Sequence, residues 1–504
     1  MRKLIAVLLA ISVASCVFRR VDVKQVDTRA PVVVSSPVKA HLNDGATVVY
    51  PNGVTVTSDA LVGQGTKYGL NSGDAIVQRV ALSDVLGMET FRTKVDITST
   101  LLMSTLGAVG AFAGSVVLAV ALFGSCPTVY SGDGTVEEAE LFSSSIAPLF
   151  EGRDLDRLQA RADATGVVRL HIRNEAMETH YINHLQLVEV RHRPGELVVP
   201  DAQGTPVVIG AVSLPTSIRS RDGRDLQALV GAADNEFYLT AADALARQDL
   251  DDWIDVVVPV EEGATSAAMV FRMRNSLLST TLLYDVMLAP AGAAALDWLG
   301  AGLGRISQAV ELGRWHQRRA GLHVQVWQDG AYREVARVPD SGPISWHDVA
   351  AVVPVPPGER SLRVRLSFLA DHWRIDQLRV SSAVQPAVSR GVPLADVSDA
   401  HGKAEADALG HMRASDDTYL QTNPGQTFVA RFDAGPEPSE SARTFLLASQ
   451  GYYVEWVRGS WIRSSMTAEP FVPTDAAVQL AMRRWAVTRD AFEHKFLTSR
   501  VPTP

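Results

Sequence analysis

Cysteine is scarce in this chain of 504 residues, which holds only Cys16 and Cys126. Two thiols exclude a disulfide framework and any zinc site built from several thiolates. Positive charge is nowhere concentrated. The formal net charge of −9 is modest and spread out, and without a basic block to track a phosphate backbone, nucleic acid is not an expected partner. No Gly-x-Ser-x-Gly elbow supports a serine hydrolase. Gly300-Ala301-Gly302-Leu303-Gly304 looks like part of a phosphate loop, but it lacks both a preceding buried strand and the P-loop lysine, so close helix packing explains it better. No cofactor is expected.

What the chain does have is placed around its two cysteines. Met1-Arg2-Lys3 is a basic start, residues 4–13 are apolar, and Val13-Ala14-Ser15-Cys16 resembles the lipobox of bacterial lipoproteins. The resemblance implies a signal peptide over 1–16 and a mature chain that begins at a lipidated Cys16, with diacylglyceryl and acyl (palmitate-type) chains as a membrane anchor. Val17 stands where enterobacterial inner-membrane lipoproteins carry Asp, which favours the outer membrane.

Residues 100–123 run without a charge. At about 1.5 Å per residue, a helix of that length crosses a hydrocarbon core of roughly 30 Å. Gly110 and Gly114 give it a small-xxx-small spacing suited to helix association, although small residues recur in lone membrane anchors too. Arg92 and Lys94 precede this run and Asp133, Glu137, Glu138 and Glu140 follow it, so the positive-inside rule puts Arg92 and Lys94 in the cytoplasm. A lipidated Cys16 demands the opposite. Either residues 100–123 do not span conventionally, or the first signal fails and they are the real anchor. Both resolutions place the large C-terminal part in the periplasm or at the surface.

Between these runs, residues 17–36 read as a linker and residues 37–99 as a small β-barrel, SH3-like or Sm-like in rhythm. Asn43-Asp44-Gly45 and Pro51-Asn52-Gly53 turns separate its short strands. Beyond residue 123 the pattern is again mainly β, with a β-rich domain over 124–290 that includes strands at 253–260, 267–272 and 282–288. A short helix capped by Thr240 interrupts them at 240–247. An Ala/Leu-rich helical connector over 291–320 ends in Arg314-Trp315-His316-Gln317-Arg318-Arg319. A jelly-roll-like antiparallel sandwich over 321–385 follows, then a β unit over 386–465. A C-terminal helix over 474–497, capped by Thr474, lines up Val478, Met482, Trp485, Arg489 and Phe492 on one face.

Cys126-Pro127-Thr128-Val129-Tyr130, the Asp133-Gly134 turn, the strands around Arg169 and Glu189, Gly342-Pro343 with Trp346, His372-Trp373-Arg374, and Gly451-Tyr452-Tyr453 together resemble a family of uncharacterised bacterial lipoproteins and secreted β-rich proteins. In that family a Cys-Pro-x-x-Tyr segment follows an apolar helix. The resemblance implies envelope placement and a β-rich fold, and no chemistry. The acidic stretch Glu137 to Glu140 departs from it.

Candidate chemistry is thin. His180 and His184 suit one metal ion only on a helix, and the local pattern is a strand that would hold them about 13 Å apart. Asp251, Asp252, Asp255, Glu261 and Glu262 offer carboxylates for glycoside cleavage, which needs a facing pair; acids flanking a strand also make an ordinary solvated edge. Trp327, Tyr332, Trp346 and Trp373 are the candidate ligand-binding residues, able to stack on sugar rings or equally to fill sandwich cores. The expectation is a non-enzymatic cell-envelope lipoprotein with β domains for scaffolding or for binding a protein or glycan partner, attached to the membrane by its N-terminal lipid and residues 100–123. A carbohydrate-binding or carbohydrate-active surface protein, and a subunit of a membrane assembly, are the alternatives.

Overall fold

A computed structural model describes residues 19–26, 28, 30–70, 72–95, 126–143, 145, 146, 148, 151–295, 311, 314, 315, 318–438, 441–462 and 473–504. Cys16, the apolar run 100–123 and the Gly300 to Gly304 segment lie outside them. Among the described residues no helix is long and apolar enough to cross a membrane.

The chain is mainly β, in antiparallel sheets with a C-terminal helix. The N-terminal sheet has eight strands, with Arg19–Gln25 next to Val85–Val95, then Val38–Leu42, Thr47–Tyr50, Ala60–Gly69, Val54–Val56 and Val32–Val34, and with Ser72–Ala81 also on Ala60–Gly69. The expected linker therefore contributes two strands, because its alternating Val and polar residues pair at the sheet's ends. Ala60–Gly69 serves Thr47–Tyr50 with residues 66–68 and Val54–Val56 with residues 61–62. Between them its ladder with Ser72–Ala81 shifts register, and a side chain at Gly65 would meet the Tyr50 ring at 2.7 Å.

Val38–Leu42 is buried on both faces. Val38, Ala40 and Leu42 point into the sheet's own core, and the alternate positions Lys39 and His41 are also buried, at 2% and 3% exposure.

Downstream units are nested, not serial. A nine-stranded sheet is built from two separated stretches. Thr128–Ser131, Val136–Glu140, Gly152–Arg157, Val167–Arg173 and Glu178–His192 come from one, and Ser389–Asp399, Leu420–Thr422, Thr427–Asp433 and Ala442–Glu455 from the other. Its longest ladder joins Glu178–His192 to Ala442–Glu455. The expected β unit over 386–465 is thus the second half of a sheet begun near residue 128. The sandwich lies within this interruption. A five-stranded sheet (Ser217–Ser220, Asp251–Pro259, Ser361–Leu369, Leu322–Gln328, Ala331–Val338) and a three-stranded one (His347–Pro354, Ser266–Asn275, Trp373–Ser381) share one core that includes Val256, Phe271, Val364 and Trp373. A boundary near residue 320 would divide strands that hydrogen-bond to each other.

Two local expectations are corrected. Residues 282–288 are helical, not a strand, within Thr281–Leu288; their apolar side chains are buried against helix Asp475–Thr498 while Asp285 is exposed. Thr240 does not cap helix Ala242–Arg247. Its hydroxyl donates to Asp252 Oδ2 at 2.6 Å and accepts from the Asp371 amide at 2.7 Å. Of the connector 291–320, the described residues include the 3-10 turn Ala289–Ala294 and helical residues 311, 314, 315, 318 and 319. Thr474 does cap Asp475–Thr498, accepting from the Ala477 amide, and Val478, Met482 and Trp485 are fully buried.

Candidate functional site

The sequence-level candidates do not converge. Trp373 is fully buried in the sandwich core. Trp327 and Tyr332 pack edge to face at 5.0 Å on the outer face of the five-stranded sheet. Guanidinium groups already cover them, Arg363 over Trp327 at 4.9 Å and Arg365 over Tyr332 at 4.3 Å, so the rings do not form a bare stacking platform. Trp346 lies elsewhere, between Arg274 at 4.9 Å and Phe237 at 5.8 Å.

The acidic group disperses as well. Asp252 is buried and accepts from Tyr238 and Thr240, Asp255 is held by Arg365 through both oxygens, Asp251 pairs with Arg319 and Glu262 with Arg360. His180 is buried beside Glu178, and a bulge between Ile182 and His184 separates it from His184. No cluster of His, Cys, Asp or Glu fit to hold a metal ion occurs among the described residues.

Two concavities do gather chemistry. The first, about 360 Å³, opens where the N-terminal sheet meets the nine-stranded sheet and the end of helix Asp475–Thr498. Leu42, Met177, Trp456, Phe492 and Phe496 supply apolar wall. Its polar groups are mostly engaged. His41 bridges Thr47 Oγ1 at 3.1 Å and Glu89 Oε1 at 3.0 Å. Arg500 reaches Glu175 at 2.9 Å and Glu137 at 3.2 Å, while Arg458 and the Tyr284 hydroxyl both donate to Glu455. Lys495, by contrast, is exposed on the rim and makes no ion pair among the described residues. Lys39 lies behind this pocket with its ammonium 4.6 Å from the Trp456 ring centre. Burial drives its pKa down to about 7 against the attraction of Glu89 and Glu455.

The second concavity, about 250 Å³, lies between the edge strand Gly152–Arg157 and the start of His347–Pro354. Asp154 and Asp156 sit two apart on the strand and so share a face. His347 Nδ1 is 2.9 Å from Asp156 Oδ1. Burial opposes charge on this imidazole, yet the Asp156 hydrogen bond and the nearby carboxylates Asp156, Glu140 and Asp154 hold its pKa above the usual value. Burial, then the Asp156 charge, pushes the Asp154 carboxyl up. Glu140, buried behind them, is raised to about 7 by desolvation although His347 and the amides of Ile344 and Ser345 favour its anion. Reasoning from sequence missed this group. The Asp-x-Asp alternation was visible, but the histidine that completes it is 191 residues away.

No protein-family model matches the chain, and no curated protein matches it. Among solved structures, the GH31 α-xylosidase from Xanthomonas citri is similar at 11% identity over 84% of this chain, with a TM-score of 0.15. This chain spans 38% of that one. The structure of infectious bursal disease virus, Gx strain, is similar at 10% identity over 95% of this chain and 88% of that chain, with a TM-score of 0.10. Likenesses this slight assign neither a fold family nor a function.

Proposed function

We propose that this protein is a non-enzymatic lipoprotein of the bacterial cell envelope, anchored through Cys16, whose β units bind a small amphiphile carrying an anionic group. The lipobox-like Val13-Ala14-Ser15-Cys16 supports the anchor, and residues 100–123 supply a second apolar membrane contact. One observation carries the binding reading, the pocket of about 360 Å³ whose wall is largely apolar and whose rim offers Lys495. A cavity of this size suits a small organic ligand, with apolar walls for its body and a few placed polar groups to orient it. Because Arg458 and Arg500 already serve internal carboxylates, Lys495 is the cation left among the described lining residues to receive an acidic group.

The test compares two fluorescent probes on the purified full chain, anilinonaphthalene sulfonate, which is anionic, and N-phenylnaphthylamine, which is neutral. Both are expected to bind saturably. Leu70→Trp, at an exposed lining position, obstructs both, and Lys495→Glu weakens only the sulfonate, by about tenfold or more. Unchanged binding in the Leu70 variant, or equal loss of both probes in the Lys495 variant, rejects the reading. Radiolabelled palmitate incorporation that survives Cys16→Ala rejects the anchor.

A further inference from the structure

The geometry points to a second binding site, a pocket for one neutral sugar ring at the cleft between Gly152–Arg157 and His347–Pro354, held by Asp156 and His347. This site shares no lining residue with the amphiphile pocket, so the two readings stand or fall separately.

Two open hydrogen-bonding positions carry the inference. The Asp156 side chain is 7% exposed and that of His347 is 12% exposed. Each uses one polar atom on the other, through Oδ1 and Nδ1. Asp156 Oδ2 and His347 Nε2 are both buried with no hydrogen-bond partner among the described residues, and both residues line the cleft. Leaving such atoms unpaired is costly, and a ligand that pairs both recovers that cost.

The charges around them select the ligand's class. Arg157 and Asp348 pair at 2.6 Å, Asp340 pairs with His372 at 2.9 Å, and Glu138 accepts from Ser131 and the Gln159 amide. Asp201 Oδ1 accepts from the amides of Gln203 and Thr205 in its own turn. Arg153 and Asp154 also line the cleft; Arg153 is exposed and turns to Ser415 Oγ at 3.4 Å, and burial with the Asp156 charge favours the neutral form of the Asp154 carboxyl. With the remaining charges engaged, the Asp156–His347 pair presents a dipole to the cleft. A cation there meets the imidazolium that the surrounding carboxylates favour, and an anion meets Asp156. A hydroxyl both donates and accepts. Two neighbouring hydroxyls of a sugar can therefore donate to Oδ2 and accept from Nε2–H without burying a net charge. At about 250 Å³ the cleft is smaller than the roughly 300–1,000 Å³ of drug-sized sites, which limits it to a single ring. Trp346 forms part of its wall. The sugar is free or the exposed end of a glycan, since both present the same hydroxyl pair.

Calorimetric titration of the full chain tests this with glucose, galactose, mannose and N-acetylglucosamine, and with oligosaccharides ending in each. At least one is expected to bind at millimolar concentration or better. Asp156→Asn and His347→Gln are each expected to weaken it about tenfold or more, while Trp327→Ala leaves it unchanged. Binding of monosaccharides identifies a free sugar, and binding of oligosaccharides alone identifies a glycan end; either supports the site. Near-ultraviolet circular dichroism establishes that the variants are folded, and the shift of the His347 ring resonances on sugar addition reports contact in the unmutated chain. Failure of every sugar to bind, binding that survives both substitutions, or binding with no change at His347 overturns the proposal.

Discussion

Trp485 Nε1 donates to Asp371 Oδ2 at 2.7 Å, tying the C-terminal helix to the inner sandwich across a fully buried carboxylate. Asp371 also receives Arg374 at 3.0 Å and Arg489 at 3.4 Å. Arg374 is itself 1% exposed, and deleting this carboxylate leaves the buried cation with Glu493 as its one ion-pair partner among the described residues, at 2.8 Å. Asp371→Ala is expected to cost about 3–5 kcal/mol. Trp485→Phe removes one donor while the arginines remain, and is expected to cost about 1–3 kcal/mol. Urea denaturation of both variants and of the double variant checks this. If the two costs add fully, the tryptophan and the carboxylate do not act as one contact.

The candidate aromatics separate by the same measurement. Trp373 is fully buried, so Trp373→Ala opens a core cavity and is expected to cost about 3–5 kcal/mol. Trp327 is 39% exposed and packs on Tyr332 and Arg363; Trp327→Ala is expected to cost no more than about 1 kcal/mol. Equal costs would mean that Trp327 is part of a core.

These contrasts show what local pattern conveys. Thr47–Tyr50, Val54–Val56 and Asp475–Thr498 were legible because turn residues, alternation and the Thr474 cap act within a few residues. Alternation tells which face of a strand is apolar and nothing of which strand it pairs with. The ladder between Gly152–Arg157 and Ala442–Glu455, and with it the nesting of the sandwich, could not be read that way. Residues 282–288 are apolar except for the exposed Asp285, so the apolar run alone could not separate a buried helix from a buried strand. The Asp156–His347 contact joins two elements of different sheets, and Thr240 was misread because its hydroxyl serves Asp252 and Asp371, distant in sequence, and not its own helix.

The close packing at Gly65 in Ala60–Gly69 gives a steric prediction. A methyl group at Gly65 would stand 2.7 Å from Tyr50 Cδ1 and 2.8 Å from Val48 Cγ1, and both residues are fully buried. Gly65→Ala is therefore expected to cost about 1–3 kcal/mol by overpacking. Gly73, on the neighbouring strand, has nothing within 4 Å of the same position, and Gly73→Ala is expected to be neutral or mildly stabilising. Thermal melts of the two variants check the pair. A Gly65 variant as stable as the Gly73 variant would show that the packing around Gly65 yields without cost.

Lys39 makes the stability of the N-terminal sheet depend on pH. Burial lowers its pKa from 10.5 to about 7, so between these values the unfolded chain holds a proton that the folded chain has released. Stability then rises with pH across that window, by up to about 1.4 kcal/mol per pH unit from this one group. Below pH 7 both states are protonated and the penalty is constant. Lys39→Met removes the titrating group and leaves Glu89 on His41 and Glu455 on Tyr284 and Arg458. The variant's advantage over the natural chain is expected to be largest at pH 7 and to shrink steadily towards pH 10. Taking the difference between the two proteins cancels the tyrosines that titrate near the top of the range. Urea denaturation at several pH values reads this difference, and a constant one would mean that Lys39 keeps its proton in the folded chain, with Glu89 and Glu455 outweighing burial.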